Sequence, residues 1–233
     1  MKREQLVDSF NKYGVSFNQS KVDLLFSFMN KTLETNELFN LTAITNEEEF
    51  VEKMIFDSSL ILANYSLTNK KGIDIGTGAG YPGMVLKILD STIDMTLLDS
   101  TKKKIDYLNE FALANGIQIN SFSGRAEEYS RQHIEEYDFA TARAVASLPI
   151  LLEIITPLLK VGGELIALKG PGYELEIDKS KKALKKLNME IVKVDTFELP
   201  YYRERRAIIH IKKNGPTNKK YPREYSDIKR QPL

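Results

Sequence analysis

Four glycines, Gly76, Gly78, Gly80 and Gly83, fall within eight residues, after the run Ile73-Asp74-Ile75 and around Pro82. An apolar run that breaks into glycines and then proline reads as a buried strand turning sharply into a helix, with Pro82 at the first helical position. Glycine there allows positive φ and close approach of a ligand, and the first N–H groups of the helix have no partner of their own. The chemistry on offer is binding of a small polar ligand, with acids Asp74 and Asp99 and cations Arg143 and Lys169 at strand ends. Without a ligand, so many glycines would only weaken the fold.

Two ligand classes match the same residues. Gly78-x-Gly80-x-x-Gly83 satisfies the dinucleotide pattern, with Asp99 near the expected spacing of about 20 residues. The stretch also reads Asp74-x-Gly76-x-Gly78-x-Gly80, the first motif of class I methyltransferases that use S-adenosylmethionine. A carboxylate at the strand end repels a pyrophosphate but suits a ligand carrying an ammonium and a sulfonium, so Asp74 favours the second class. Asp99 accepts hydrogen bonds from ribose hydroxyls under either.

The elements that must position these residues follow from pattern. Residues 1–65 read as a helical cap. Val22, Leu25, Phe26, Met29 and Leu33 lie at helical spacing after Ser20 as N-cap, and another helix starts at Asn46 with Glu49 in capping-box position. The plain role of this cap is to cover a face or edge of the following sheet; the loop Asn40-Leu-Thr-Ala-Ile44 is not explained by periodicity. Residues 66–213 alternate strands and helices, as in a parallel α/β sheet. Strands are expected at Gly72–Gly76, Asp94–Asp99, Ile117–Ser123, Tyr137–Ala144, Glu164–Lys169, Met189–Leu199 and Arg206–Lys213, and helices near 82–90, 101–115, 125–134, 149–160 and 173–187. Pro200–Arg205 is too short for a crossover helix, so the last two strands form an antiparallel hairpin. That separates a class I methyltransferase sheet, Rossmann-like with an antiparallel last strand, from a wholly parallel dinucleotide sheet. Ligands of such sheets lie beyond the carboxyl ends of the strands, where Arg143 and Lys169 stand; pairing with Asp99 or Glu127 is the alternative for these cations.

With 233 residues, 42% of them hydrophobic, the chain can bury a sizeable core. It has no cysteine and only His133 and His210, both read as structural or solvated, which excludes disulfides, thiol catalysis and Cys-based zinc sites. No signal core and no apolar run of roughly 18 residues is present, which points to a soluble protein of a reducing compartment, most simply the cytoplasm. Net charge is +1, so affinity for nucleic acid must be local. From Tyr201 onward ten Lys/Arg face three acids, interleaved with Tyr201, Tyr202, Tyr221 and Tyr225. This composition neutralises phosphate and stacks unpaired bases, with Arg203, Arg205 and Arg206 as the RNA-binding candidates. A solvated, partly disordered tail over 214–233 is the competing reading.

Together, Asn40-Leu-Thr-Ala-Ile44, Asp57-Ser58, Asp74–Gly83, Leu97-Leu-Asp-Ser100, Arg125-Ala-Glu127, Thr141-Ala-Arg-Ala-Val-Ala146, Leu168-Lys-Gly170 and Tyr221-Pro-Arg223 resemble the glucose-inhibited division protein B family. These are bacterial guanine-N7 methyltransferases of 16S ribosomal RNA, and the likeness covers nearly the whole chain. The resemblance implies S-adenosylmethionine as cofactor, with Gly76, Tyr81, Ala126, Glu127 and Arg143 lining its site and Asp99 near the ribose. It implies a guanine of a conserved 16S rRNA loop, naked or in the small ribosomal subunit, as substrate, and a monomeric enzyme. The chain departs from the pattern in two places. Lys53-Met54-Ile-Phe-Asp57 lacks a His often found just before the Asp-Ser pair, and Glu224-Tyr-Ser-Asp-Ile lacks the usual C-terminal Gly-x-Pro.

Guanine N7 carries an in-plane lone pair and no proton, so in-line transfer needs no general base. Arg143 and Lys169, the candidate catalytic residues, are therefore expected to position ligands or hold phosphate. Competing classes are a methyltransferase of another substrate, a nucleotide-dependent oxidoreductase and a non-catalytic RNA-binding module. The basic, Tyr-rich C-terminal stretch argues against the first, and the intact Asp74–Gly80 motif against the last.

Overall fold

The computed structural model describes residues 1–233. The N-terminal part is helical, as its spacing predicts: α1 (Arg3–Tyr13), α2 (Gln19–Asn36), α3 (Glu47–Phe50), a π-helical turn over Val51–Phe56 and α4 (Asp57–Asn64). Asn18, not Ser20, caps α2; its side chain accepts from the Lys21 N–H at 2.9 Å and so satisfies a donor the first turn cannot. Asn46 caps α3 as expected, accepting from the Glu49 N–H at 2.9 Å. The buried stripe of α2 is Val22, Leu25, Phe28 and Met29. Phe26 lies at its edge, where the Arg3 guanidinium stands 5.1 Å from the ring centre.

Seven strands form one sheet: β1 (Lys71–Ile75), β2 (Asp94–Asp99), β3 (Asn120–Ser123), β4 (Tyr137–Arg143), β5 (Leu159–Lys169), β6 (Met189–Glu198) and β7 (Arg205–Lys213). They are connected by α5 (Gly83–Leu89), α6 (Lys102–Ala114), α7 (Ala126–Gln132), α8 (Leu148–Ile155) and α9 (Tyr173–Lys186). The spatial order is β3-β2-β1-β4-β5-β7-β6. The first five strands are parallel, and β7 is antiparallel to both β5 and β6. The α9 crossover carries β6 to the edge, and the tight hairpin folds β7 back into the slot beside β5. Several boundaries shift from the sequence expectation; α8 ends at Ile155, not near 160, and three others bear on the site or the core. Pro82 precedes α5, which begins at Gly83. β3 begins only at Asn120, and Ile117 and Ile119 pack against the core from the loop before it. β5 begins at Leu159, because Leu159 pairs with Tyr137 before the chain bulges around Gly162, φ 89°, and pairing resumes between Phe139 and Glu164.

Side chains alternate between the faces of the sheet, as the strand period requires. Met95, Leu97, Phe139, Ile166, Leu168 and Ile208 share one apolar cluster with the N-terminal helices, α5 and α6. Ile73, Ile75, Leu98, Ala140, Ala142 and Ile209 belong to the other, closed by α8, α9 and residues of the C-terminal segment. Residues 1–65 thus cover a face of the sheet and add to its core. Residues 214–233 are not a loose tail. Tyr225–Arg230 forms α10, and Arg223 clamps the fully buried Glu153 of α8 through Nε and Nη2, each at 2.7 Å. No helix is long and apolar enough to cross a membrane.

Candidate active site

The strand order reverses at β1 and β4, and a cavity of about 860 Å³ opens beyond their carboxyl ends. The turn after β1 is held from behind by Asp74. Its carboxylate, with no exposure at all, accepts from Thr77 Oγ1 at 2.7 Å, the Gly83 N–H at 2.9 Å and Thr141 Oγ1 at 2.9 Å. Register explains the last bond, since Thr141 of β4 lies directly beside Asp74 of β1. Burial pushes the Asp74 carboxyl up to about 6, against the pull of its hydrogen bonds. Asp74 is outside the cavity lining, so it shapes the turn and does not face a ligand's cationic end as its position in the motif implied.

Gly76, Gly78 and Gly80 all take positive φ, at 63°, 60° and 94°. Their surroundings differ. A Cβ on Gly78 would meet nothing nearer than Gly76 O at 3.9 Å, so here bare backbone faces open space. A Cβ on Gly80 would strike Phe28 and Leu108 at 2.7 Å, so this glycine permits core packing and is not part of the cavity wall. Asp99, at the end of β2, lines the cavity and ties the turn down: Oδ2 accepts from the Gly78 N–H at 3.0 Å and Oδ1 from the Thr101 N–H at 2.8 Å. Two of the roughly four acceptor positions of a carboxylate remain for a ligand. The Tyr81 ring closes the turn, stacked on Phe28 with centroids 5.0 Å apart and edge-on to Phe50 at 5.3 Å.

Arg143 ends β4, its side chain largely buried and its guanidinium carbon 5.8 Å from the Tyr81 ring centre. It donates to Lys53 O at 2.9 Å and Met54 Sδ at 3.0 Å, and lies 3.8 Å from Asp57 Oδ2. It therefore bolts the sheet to the π-helical turn. Ala144 follows in the left-handed region at φ 55°, which is strained for a non-glycine residue. Val145 then packs against Gly76, where a Cβ would come within 2.7 Å of its side chain. Lys169, at the end of β5, donates to Ala146 O at 2.9 Å and Glu176 Oε2 at 2.8 Å, so it holds the loop after β4 in place. Both candidate cations line the cavity, and each is already engaged by the protein.

Arg206 turns inward. It lines the cavity, donates to Glu204 Oε2 at 2.6 Å and stands 3.6 Å from Asp57 Oδ2. Arg203 and Arg205 stay outside and exposed, paired with Glu198 at 2.9 Å and Glu174 at 3.5 Å. Ala126 and Glu127 are absent from the cavity lining, and Glu127 Oε1 accepts from Arg125 Nε at 3.0 Å. The largest group missed from sequence comes from the N-terminal segment: Leu41, Ile44, Lys53, Met54 and Asp57 all line the cavity. The signals were the segment Asn40–Ile44, which periodicity left unexplained, and the stretch Lys53–Ser58, which entered only through the resemblance and received no site role. Burial pushes the Asp57 carboxyl up, and the guanidiniums of Arg143 and Arg206 pull it back.

The family model described as rRNA small subunit methyltransferase G matches residues 21–208 of this chain. The ribosomal RNA small subunit methyltransferase G of Caldicellulosiruptor bescii is 45% identical over 217 residues, which span 90% of this chain and 91% of the relative. That of Alkaliphilus metalliredigens is 38% identical over 232 residues, 98% of this chain and 97% of the relative. Among solved structures, M. jannaschii TYW2 in complex with AdoMet superposes with a TM-score of 0.56 at 13% identity, over 73% of this chain and 79% of that one. An Aquifex aeolicus SAM dependent methyltransferase superposes at 0.52 and 14% identity, over 77% of this chain and 97% of that one. At these identities the superpositions establish the fold, an α/β class I methyltransferase sheet.

Proposed function

Because this chain belongs to the rRNA small subunit methyltransferase G family, we propose that it transfers the methyl group of S-adenosylmethionine to N7 of a guanine in a conserved loop of 16S ribosomal RNA. The observation that carries this reading is one shared cavity. Bare backbone at Gly78 and the free acceptor positions of Asp99 open into the same space as Met54, Arg143 and Arg206. Its volume of about 860 Å³ lies towards the upper end of the usual range for ligand sites, about 300–1,000 Å³, which leaves room for a cofactor and a base together.

The residues present fit that cofactor. Asp99 offers acceptors for ribose hydroxyls, Gly78 lets a flat ligand lie on backbone, and the Tyr81 ring and Val145 add apolar wall. S-adenosylmethionine supplies an electrophilic methyl group on a sulfonium. The protein's task is to hold guanine N7 in line with that methyl, an orientation effect worth up to about 7–11 kcal/mol in favourable systems. N7 has no proton to lose, so no side chain is needed as base. Positive charge builds on the purine during transfer, and a free cation against the base would oppose it. Arg143 and Lys169 meet that requirement: their donors are bound to Lys53 O, Met54 Sδ, Ala146 O and Glu176, so they act as positioning residues. Arg203 and Arg205, with the exposed rings of Tyr201 and Tyr202, form the outer surface for phosphate and unpaired bases.

The test is transfer of labelled methyl from S-adenosylmethionine to small ribosomal subunits from cells lacking this activity. Label should enter 16S rRNA at one guanine, and borohydride–aniline treatment, which cuts at the cationic N7-methylated base, should break the strand there. Label confined to protein, or methyl groups on another atom, would overturn the reading.

A further inference from the structure

N7 cannot tell the enzyme which purine it holds, because adenine and guanine both present an N7 acceptor. Besides the 6-substituent next to N7, the far edge of the ring tells the two apart: guanine there carries two kinds of donor, N1–H and the 2-amino group, and adenine carries an N1 acceptor. A carboxylate suits the first and repels the second. It must line the cavity, have oxygens not already bonded, and sit away from the turn that faces the methyl donor.

Three carboxylates line the cavity: Asp57, Asp99 and Glu176. Asp99 spends an oxygen on each of the Gly78 and Thr101 N–H groups. Glu176 accepts from Lys169 Nζ and from the Leu148 N–H. Asp57 stands alone: its side chain is only 4% exposed, yet its nearest cations, Arg206 Nε at 3.6 Å and Arg143 Nη1 at 3.8 Å, lie beyond hydrogen-bond length. At these lengths the two guanidiniums hold Asp57 mainly by charge, with at most a long contact from Arg206, so its oxygens keep acceptor positions for a ligand. It also comes from the start of α4, in the part of the wall built by the N-terminal segment and not by the sheet that carries Gly78 and Asp99. Leu41, Ile44, Met54 and Val145 line the same cavity and offer apolar surface to the faces of a base taken out of its stack.

We propose that the Asp57 carboxylate reads the guanine, accepting hydrogen bonds from N1–H and the 2-amino group of the base whose N7 faces the methyl donor. This rests on the function proposed above. Asp57 thereby sets specificity, and Arg143 and Arg206 keep its charge in place between them.

Small subunits reconstituted with guanosine or inosine at the methylated position test it, since inosine lacks only the 2-amino group. The wild-type protein should methylate the inosine form with kcat/KM roughly 10- to 150-fold lower, the loss of one charge-assisted hydrogen bond. Asp57→Asn should be slower on guanosine and should lose most of that preference, with normal binding of S-adenosylmethionine by calorimetry. Glu176→Gln should keep the preference. Asp57→Asn combined with Arg206→Gln preserves local charge if the single variant does not fold, and it should lose the preference too. Equal wild-type rates on both subunits, or full preference retained without the Asp57 carboxylate, would overturn the inference while leaving the methyltransferase reading intact. Methylation of neither by the wild-type protein would overturn both.

Discussion

Asp74 shows how a motif residue can shape a ligand turn from behind, outside the cavity lining. Its two oxygens gather Thr77, Gly83 and Thr141, so one carboxylate sets the path of the turn that leaves Gly78 bare to the cavity. The cost of burying it is visible in its titration. With the native carboxyl raised from the ordinary 3.8 to about 6, the folded protein holds a proton that the unfolded chain has lost between those values. Stability from this group therefore falls as pH rises from about 4 to about 6, by up to about 1.4 kcal/mol per pH unit, and is constant above. Asp74→Asn should remove that slope. Urea unfolding of both proteins across this window should show the difference shifting in favour of the variant as pH rises; parallel curves would assign the proton to another group.

Among the elements, the short π-helical turn between α3 and α4 does more than its length suggests. Lys53 O and Met54 Sδ receive Arg143 from the sheet, while Glu52, fully buried, accepts from the Tyr201 N–H at 2.8 Å and the Tyr202 N–H at 3.3 Å. The Lys53 ammonium bridges Glu49 and Glu204. One turn thus docks the β6–β7 hairpin loop and the end of β4 onto the same wall of the cavity. Glu52→Ala leaves two hairpin amides without their acceptor, and each such loss costs about 1–3 kcal/mol where water cannot replace it. Hydrogen exchange at the Tyr201 and Tyr202 amides should accelerate in this variant, while the amides of β1 and β2 keep their protection. Unchanged exchange at the hairpin would mean that the loop is held by Lys53 and Glu204 alone.

At the scale of the whole molecule, a net charge of +1 is less informative than where the charges are spent. Several C-terminal cations serve the fold: Lys213 is fully buried among Thr156 O, Leu159 O and Glu135, and Arg223 forms a two-pronged pair with Glu153. The final segment is therefore a closing piece for the face of the sheet covered by α8. Arg223→Ala leaves Glu153 buried without its countercharge and should cost about 3–5 kcal/mol, read as a lower midpoint in denaturant. The double variant Arg223→Met with Glu153→Leu should recover most of that loss, since an apolar pair of similar size removes the buried charge altogether. A single variant of unchanged stability would show that the segment is not anchored through this pair.

Much of this was legible in the chain because it depends on local pattern. Alternating apolar runs place the seven strands, the shortness of Pro200–Arg205 dictates a hairpin, and the glycines between Asp74 and Asp99 locate the ligand turn, since strand period, loop length and positive φ are properties of neighbouring residues. What local pattern could not supply is which way a side chain turns once the elements pack. Asp74 and Gly80 sit in the motif yet face the core, and Arg206 leaves its exposed neighbours Arg203 and Arg205 to enter the cavity, because partners on β4, α2 and α4 lie far away along the chain. The tail was ambiguous for the same reason: its composition is that of a solvated segment, and contacts far along the chain order it, Arg223 with Glu153 70 residues away and Tyr221 and Leu233 in the core among them. Asp57 is the sharpest case. In sequence it is an acid within the Asp57-Ser58 segment of the resemblance, and packing against the sheet alone makes it a buried carboxylate between Arg143 and Arg206 at the edge of the cavity.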